Sequence, residues 1–488
     1  MTGLDDSDVV RRERFSGGPA RSFLSSLDAD ERIFEADLAV DRAHVVMLAE
    51  QDVVSDDEAA TILQALDVVE VEEHAGLPAG EDIHAAIETS VIDQVGPVGG
   101  KMHTARSRND EVAACIRYRL REDLLDAIEA TLLARESLLT VATEHTETVM
   151  PGFTHLQPAQ PTTVAHWACS YQQALARDTA RLFDAYARVN QSPLGAAAFA
   201  GTTFDVDRER VAELLGFDGV LDNATDASAT RDFLVETASA LATLATHLSG
   251  LAEDLVVFAN KGLVDLADDY SSTSSIMPQK VNPDTLELVR ATAGDASAGL
   301  NGLLTTLKGL PRAYNRDLQR ATPHVWASVD AVTEATEVAA GAVATADWPE
   351  EKLEAAAGEG FSTATGVADL LAASGIPFRT AHEVLALAAE TAEEGGTPSY
   401  DLVAAAAEEV LDEPLSTYVS EDAVQTALDP VSNVAARDSL GGPAPETVRA
   451  HLAEATEDCS GDEAILDCLA ESLDAADDDL REEVTAYV

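Results

Sequence analysis

Apolar residues recur at helical spacing through the middle of this 488-residue chain. Residues 101–150 contain neither glycine nor proline, and leucine or isoleucine recurs every four residues, at Leu120, Leu124, Ile128 and Leu132. Positions three and four apart lie on one face of a helix, so we predict one long helix with a broad apolar face. The Met-Pro-Gly-Phe string at 150–153 should end it.

Four more long helices are predicted further along the chain. The second covers residues 162–192, and the third runs from 229 to 249 or beyond. The fourth starts after Pro283, because proline is tolerated at the start of a helix, and the fifth covers 325–340. Five long helices without a strand-rich region or an internal repeat predict an all-α fold built around a helix bundle.

The two flanks differ from this central region. Residues 1–104 indicate shorter helices with acidic loops, and short alanine-rich segments after residue 361 alternate with turns rich in glycine and proline. We therefore predict an N-terminal helical domain at 1–104, a central bundle at 105–360 and a C-terminal helical domain at 361–488. Alanine-rich faces on long helices are also expected to pack between subunits.

The net charge of the chain indicates the ionic environment in which the protein folds. It has 88 Asp and Glu against 31 Lys and Arg, with a net charge of −57, and the acids are spread from Asp5 to Glu483. Such charge repels itself in dilute buffer, whereas salt near 1 M shortens the screening length to about 3 Å. We predict a protein adapted to a salt-rich cytoplasm. Nucleic acid and anionic membranes are excluded as partners.

The cysteines and the lack of long apolar runs indicate the cellular compartment of the protein. Four widely spread cysteines form no CxxC pair, which argues against a zinc site and favours free thiols in a reducing cytosol. The N-terminus lacks the apolar stretch of a signal peptide, and no run of about 18 apolar residues is present. These features predict a cytoplasmic protein.

Four polar segments interrupt the helices, at 99–111, 150–167, 271–284 and 307–320. The first could bind an anion at a helix start or could be a capping cluster in which Asp110 and Glu111 pair with arginines. In the second, prolines hold His155 for acid–base chemistry, or else it is an ordinary loop histidine. Glu81–His84 is a weaker candidate. Without a metal constellation or phosphate loop, cofactor-free chemistry on a polycarboxylate is expected.

The string SSTSSIMPQKVNPD at 271–284 resembles the GSSxMPxKxNP signature of the fumarase/aspartase superfamily, with Thr273 where glycine is usual. Five strings resemble the argininosuccinate lyase family, which includes the delta-crystallins: HTARSRNDEV, MPGFTHLQPAQPTTVAHW, SPLGAAAFAGTTFDVDRE, MPQKVNPDTLELVR and LKGLPRAYNRDLQ. The resemblance covers roughly residues 20–390 in the order of that family. Loss of the glycine is expected to stiffen the loop.

This resemblance implies a mainly helical homotetramer with a twenty-helix core. Each active site would be built from three subunits. The implied reaction is the reversible elimination of argininosuccinate to L-arginine and fumarate, the last step of arginine biosynthesis, without a cofactor. The alternatives are another fumarate-releasing lyase, such as fumarase or adenylosuccinate lyase, and a catalytically silent, crystallin-like homologue.

The resemblance also assigns catalytic roles. Ser274 would remove the carbon-bound proton, activated by loop N–H groups and Lys280, and His155 would serve the departing nitrogen. The swapped assignment, with His155 as base and Ser274 as acid, stays open. Glu287 would pair with the histidine, and Lys280 with Asn282 would hold the succinyl carboxylates.

The remaining positions are implied to bind substrate. Ser26, Ser107, Arg108, Asn109 and Thr154 would line the pocket. Tyr314 and Gln319 would grip the arginine portion. The family commonly has lysine where this chain has Thr322, and we expect the neighbouring Arg320 to supply the missing charge.

Overall fold

The structure, a computed structural model, describes residues 19–392 and 399–488. Within those ranges it contains eighteen α-helices and two short β-hairpins. The helices are α1 (Pro19–Leu24), α2 (Phe34–Glu50), α3 (Asp56–Gly76), α4 (Ile83–Val95), α5 (Arg108–Glu144), α6 (Val164–Val189), α7 (Arg208–Leu214), α8 (Ala224–Ala229), α9 (Asp232–Lys261), α10 (Asp284–Leu307), α11 (Thr322–Ala344), α12 (Glu350–Ala357), α13 (Ala364–Ala373), α14 (Phe378–Thr391), α15 (Tyr400–Leu411), α16 (Glu421–Leu428), α17 (Pro430–Ala435) and α18 (Pro445–Tyr487). The strands are β1 (Val149–Thr154), β2 (Gln157–Thr163), β3 (Ser272–Thr273) and β4 (Val281–Asn282).

The predicted bundle is formed by α5, α6, α9, α10 and α11, which pack on one another around a large apolar core. Helix α5 starts at a capping box on Ser107 and ends at Glu144, before the Met-Pro-Gly-Phe string that was expected to end it. That string instead lies in β1. Helix α9 continues through Gly250 and ends at Gly262, which takes the left-handed conformation that favours glycine.

Neighbouring helices of the bundle run in opposite directions, so each end of the bundle contains the starts of some helices and the ends of others. At the first end, Arg117 near the start of α5 donates to the last carbonyls of α6 and its guanidinium stacks on Phe233 at the start of α9. At the second end, Trp167 at the start of α6 contacts Phe258 near the end of α9. Since α5 has 37 residues, the ends are roughly 55 Å apart at 1.5 Å per residue.

The flanking segments pack as two smaller units. Helices α2, α3 and α4 share an apolar core with the start of α5, and α13 to α16 enclose a separate one. The expectation of only short segments after residue 361 was wrong, because α18 has 43 residues and returns along α5. Few of its residues are buried, at widely spaced positions, so its apolar pattern is weak. The three-domain division stays a prediction.

In the described part of the chain, α9 alone has the length and composition of a membrane-spanning helix. Its buried face packs against α6, α10 and α11, which is the ordinary position of a bundle core helix. The four cysteines are free thiols, as predicted, and Cys468 is the exposed one.

Candidate functional site

A narrow cavity of about 80 Å³ lies at the first end of the bundle. Four of the predicted substrate-binding residues line it, namely Ser26, Arg108, Tyr314 and Gln319. Its other polar lining residues are Asp30, Asp82, His84, Arg231, Arg316, Thr322 and Trp326. Ligand pockets usually measure roughly 300–1,000 Å³, so this cavity can enclose one end of a substrate but not a molecule as long as a dipeptide.

The start of α5 supports one wall of this cavity. The Ser107 hydroxyl accepts the Asn109 N–H at 3.3 Å, and Asp110 accepts the Ser107 N–H at 3.1 Å. The Asn109 side chain donates to the Ala198 carbonyl at 3.1 Å. Arg108 lies 3.5 Å from Asp82, so it faces the cavity only loosely paired. The capping alternative therefore holds in part: Asp110 caps the helix without pairing with an arginine, Glu111 pairs with Arg106, and Arg108 is available to a ligand.

Beneath this wall lies a buried ion network. Arg106 contacts Asp41 at 2.6 Å and Glu111 at 2.9 Å, and His84 contacts Asp37 at 2.8 Å. Burial raises the pKa of Glu111 to about 8, and Arg106 lowers it only in part. Burial alone would lower the pKa of His84, but Asp37 and Glu111 outweigh it and raise the pKa to about 10. The adjacent Asp37 carboxylate therefore favours the cationic form of His84.

This network could be mistaken for a metal site. Ligand atoms of Asp37, His84 and Cys115 lie within 4.8 Å of one another. However, a metal-bound cysteine must be a thiolate, and burial raises the pKa of the Cys115 thiol well above its ordinary value. Arg106 also supplies the positive charge that the carboxylates need. The residues present fit an internal ion network better than a metal.

His155 and Thr154 lie at the second end, on the tip of the β1–β2 hairpin, and both are exposed. His155 and Leu156 form the two-residue turn, and both have positive φ, of 55° and 59°. Hairpin turns of this kind normally use asparagine and glycine, so two bulky residues indicate local strain. Strain of this type is typical of functional loops. Phe153 anchors the hairpin on Phe258 of α9.

The strained turn predicts a stability change. Replacing Leu156 by glycine should stabilise the fold by about 1 kcal/mol, because glycine adopts positive φ without the steric cost that other residues carry. Thermal unfolding in high salt would measure it. The matched control is Leu133→Gly, another exposed leucine but in the interior of α5, where glycine should destabilise by about 1 kcal/mol. A lower melting temperature for Leu156→Gly would contradict strain in the turn.

Ser274 lies in the loop of the β3–β4 hairpin at the same end of the bundle. Its hydroxyl oxygen accepts the N–H groups of Ile276 at 3.3 Å and Met277 at 3.1 Å. Two donors stabilise negative charge on that oxygen, which is what a basic serine requires. These two N–H groups are the loop donors that the assignment of Ser274 as a base requires, and that assignment stays a prediction. Lys280 contacts Ser274 only through its backbone carbonyl, and its side chain is exposed.

Thr273, the departure from the superfamily signature, causes no backbone strain. It pairs with Val281 in the hairpin, and its φ is not positive. A glycine is therefore not required at this position in this chain.

The twelve predicted residues fall into three groups in one chain. Ser26, Ser107, Arg108, Asn109, Tyr314 and Gln319 lie at the first end of the bundle. Thr154 and His155 lie on one hairpin at the second end, and Ser274, Lys280, Asn282 and Glu287 lie on or beside the other. Glu287 is exposed on α10, and no contact between it and His155 occurs among the described residues. One chain does not bring the groups together.

A larger cleft of about 810 Å³ lies elsewhere, between α2, α3, α5 and α11. Nine carboxylates line it, on Glu31, Glu35, Glu70, Glu73, Asp123, Asp126, Asp330, Glu334 and Glu337. Its only basic residues are Arg32, His74 and Arg119. This charge would repel a substrate with several carboxylates, so the cleft is not the site of the predicted chemistry.

Comparison with known proteins decides the family. The profile of a family described as "Lyase" matches residues 22–297, and one described as "Argininosuccinate lyase C-terminal" matches residues 361–435. The argininosuccinate lyase of Natronomonas pharaonis is 69% identical over 100% of this chain and 99% of its own length. That of Halobacterium salinarum is 68% identical over 100% of both chains.

The chain belongs to the argininosuccinate lyase family. It is an enzyme of the lyase class, as predicted, and the resemblance proposed from its motifs is confirmed. The match extends through the last 100 residues, where the motifs gave no guidance. The family members that are 66–69% identical to this chain come from halophilic archaea, so the prediction of salt adaptation is also confirmed.

Solved structures of this superfamily share the fold. A crystal structure of EDDS lyase in complex with formate is 35% identical, with a TM-score of 0.88 over 99% of this chain and 98% of that chain. A fumarate lyase from Mesorhizobium sp. BNC1 is 19% identical, with a TM-score of 0.71 over 89% of this chain and 97% of that chain, which shows the fold alone. The all-α, superfamily-type fold predicted from the sequence is confirmed.

Salt adaptation leads to a prediction for this family member. The melting temperature should rise steeply as KCl is raised from about 0.1 M to roughly 3 M, because salt screens the repulsion among surface carboxylates. Differential scanning calorimetry would measure it. Sucrose at matched osmolality is the control, since it screens no charge and should raise the melting temperature far less. Stability that is undiminished in low salt would contradict the prediction.

Proposed function

We propose that this protein catalyses the reversible elimination of argininosuccinate to L-arginine and fumarate, the last step of arginine biosynthesis. The observation that carries the proposal is Ser274, whose hydroxyl accepts two backbone N–H groups in the signature loop of a chain that matches a family member over 99% of that member's length. We place the enzyme in the cytoplasm. The three domains predicted at 1–104, 105–360 and 361–488 remain part of the proposal.

The reaction removes a proton from the carbon beside a carboxylate and then expels a guanidinium nitrogen. That proton is weakly acidic, so the doubly charged intermediate needs fixed cations and N–H donors. Lys280 and Asn282 would hold the succinyl carboxylates, and Ser274 would take the proton. His155, with its pKa adjusted by Glu287, would act as the general acid that protonates the departing nitrogen, directly or through water. The swapped roles of Ser274 and His155 stay open.

The site is proposed to be shared between subunits of a homotetramer. In one chain, roughly 55 Å separates the ends that carry the groups, and the cavity at the first end is too small for a whole substrate. Helix α10 also presents an exposed face with Leu288, Ala291 and Ala298. Antiparallel packing of such faces would set the first end of one bundle against the second end of another.

The activity is tested by following the ultraviolet absorbance of fumarate in high KCl. Argininosuccinate, adenylosuccinate and malate would be supplied separately, and we expect fumarate only from argininosuccinate. Turnover of malate or adenylosuccinate instead would favour another lyase of the superfamily. No turnover of any of the three would indicate a catalytically silent homologue.

A further inference from the structure

Arg231 is a buried arginine at the first end of the bundle, just before α9. It lines the same cavity as Ser26, Tyr314 and Gln319, and it is 3% exposed. Its guanidinium donates to the backbone carbonyls of Thr230 at 2.7 Å and Ser228 at 3.5 Å. Its Nε atom is buried and has no hydrogen-bond partner. Within residues 19–392 and 399–488, no Asp or Glu forms an ion pair with it.

The other arginines of the cavity differ from Arg231 in this respect. Arg316 is paired with Glu81, and Arg108 lies near Asp82 and Glu88. The positive charge of Arg231 is therefore the one in this cavity that no carboxylate of the described chain offsets. A buried cation without a counter-charge is costly, since desolvation of an ion costs several kcal/mol. Such a group is expected to have a counter-ion that comes from a ligand.

A second buried arginine makes this region more positive. Arg117 donates only to backbone carbonyls at the end of α6, and no carboxylate pairs with it in the part of the chain that the structure describes. Burial and, to a smaller extent, the charge of Arg231 together lower the pKa of Arg117 to about 9. Burial likewise lowers the pKa of Arg231 to about 10. Both side chains nevertheless remain protonated at pH 7, so an anion is favoured beside them.

The cavity also contains negative charge. Asp30 lines it and accepts hydrogen bonds from the Ser26 hydroxyl at 2.7 Å and the Ile83 N–H at 3.3 Å. Asp82 is another lining residue. A small cavity lined both by carboxylates and by an uncompensated guanidinium is complementary to an α-amino acid, which has both an ammonium and a carboxylate group.

We propose that Arg231 is a substrate-positioning residue that binds the α-carboxylate of the arginine portion of argininosuccinate. This inference rests on the proposed function and assigns one carboxylate of that substrate to one side chain. Arg320, from which we expected a replacement for the missing lysine, is exposed and does not line the cavity. Thr322 does line it, and in this proposal Arg231 supplies the positive charge that a lysine would otherwise provide.

Inhibition by the product tests this assignment without relying on turnover alone. L-Arginine and agmatine, which is arginine without its carboxylate, would be compared as inhibitors of fumarate release. In the wild-type protein arginine should inhibit roughly 30-fold more strongly, since an ionic hydrogen-bonded pair is worth about that much. In Arg231→Gln the ratio should fall below about 3-fold, because the partner of the carboxylate is gone.

The kinetic constants provide a second readout. In Arg231→Gln the KM for argininosuccinate should rise roughly 30-fold while kcat falls less than about 10-fold, because Arg231 would hold a part of the substrate that does not react. Inhibition by fumarate should not change. Arg231→Lys keeps the charge and should keep an arginine-to-agmatine ratio above about 10-fold. Melting curves for each variant would separate loss of binding from loss of fold.

Two matched controls identify the residue. Arg316→Gln removes an arginine of the same cavity that Glu81 already offsets, and Arg320→Gln removes an exposed one nearby. Both should keep the wild-type ratio. A ratio that collapses in either control but not in Arg231→Gln overturns the inference, as does equal inhibition of the wild-type protein by arginine and agmatine. Absence of fumarate release from the wild-type protein would instead overturn the proposed function itself.

Discussion

Replacing Ser274 by alanine is expected to lower kcat by roughly 1,000-fold, within the range that a positioned general acid or base contributes. The hydroxyl oxygen, which accepts the N–H groups of Ile276 and Met277, would be lost, while the exposed loop has no core contacts to lose. Fumarate release in high KCl would measure kcat. The melting temperature should stay within a few degrees of the wild-type value.

Ser275→Ala is the matched control, because Ser275 is the next residue of the same loop and is exposed. It should keep activity near that of the wild-type protein. Near-normal turnover of Ser274→Ala would rule out both assignments of base and acid, since each of them requires this hydroxyl. The pH profile of kcat in His155→Asn would distinguish the two assignments. This variant lacks the imidazole, which would act as the acid in one assignment and as the base in the other.

Helices with a continuous apolar face and clear start or stop signals could be predicted from the sequence. The stretch without glycine or proline at 162–192 became α6, and Pro283 precedes α10 as expected. The third helix passed through Gly250 because its apolar stripe continues to Phe258 on the same face. Local spacing and end signals are sufficient where the buried face is continuous.

The hairpins and α18 were not predictable in the same way. Strand β2 reads Gln-Pro-Ala-Gln-Pro-Thr-Thr, with two prolines and no apolar alternation, so the sequence gives no strand signal. Both strands of this hairpin pack against α12 and α17, which are remote in sequence. Helix α18 buries residues only where it meets other helices, at Val448, Leu452, Ala455, Cys459, Leu480 and Val484. Its long exposed stretches follow the acidic composition of the chain and show no apolar period.

The candidate site shows a similar limit. Motifs identified Ser274, His155 and Arg108, but no spacing in the sequence reveals that they lie at opposite ends of a bundle. The sequence did not identify Arg231 as a candidate, because the absence of a counter-charge beside it is a property of packing. The dipeptide Arg-Asp before an apolar helix was the available signal, although in so acidic a chain it resembles an ordinary helix start.

Mixed tetramers should recover activity when two inactive variants are changed at opposite ends. Arg108→Gln alters the first end of the bundle and Ser274→Ala the second, and each alone should have little activity. If every site takes these ends from different subunits, a 1:1 mixture should restore about one quarter of the sites, since each end is intact in half of the chains. Coexpression with two affinity tags would isolate mixed tetramers for assay.

The control for this rescue uses two variants at the same end. Lys280→Met lies in the same loop as Ser274→Ala, so no chain in their mixture carries an intact loop and no site can be restored. Rescue by the opposite-end pair without rescue by the same-loop pair is the result that only a shared site produces. If the opposite-end mixture stays as inactive as its parents, the roughly 55 Å separation must be bridged within one chain. No rigid bundle allows that, so the proposed residue groups would then be wrong.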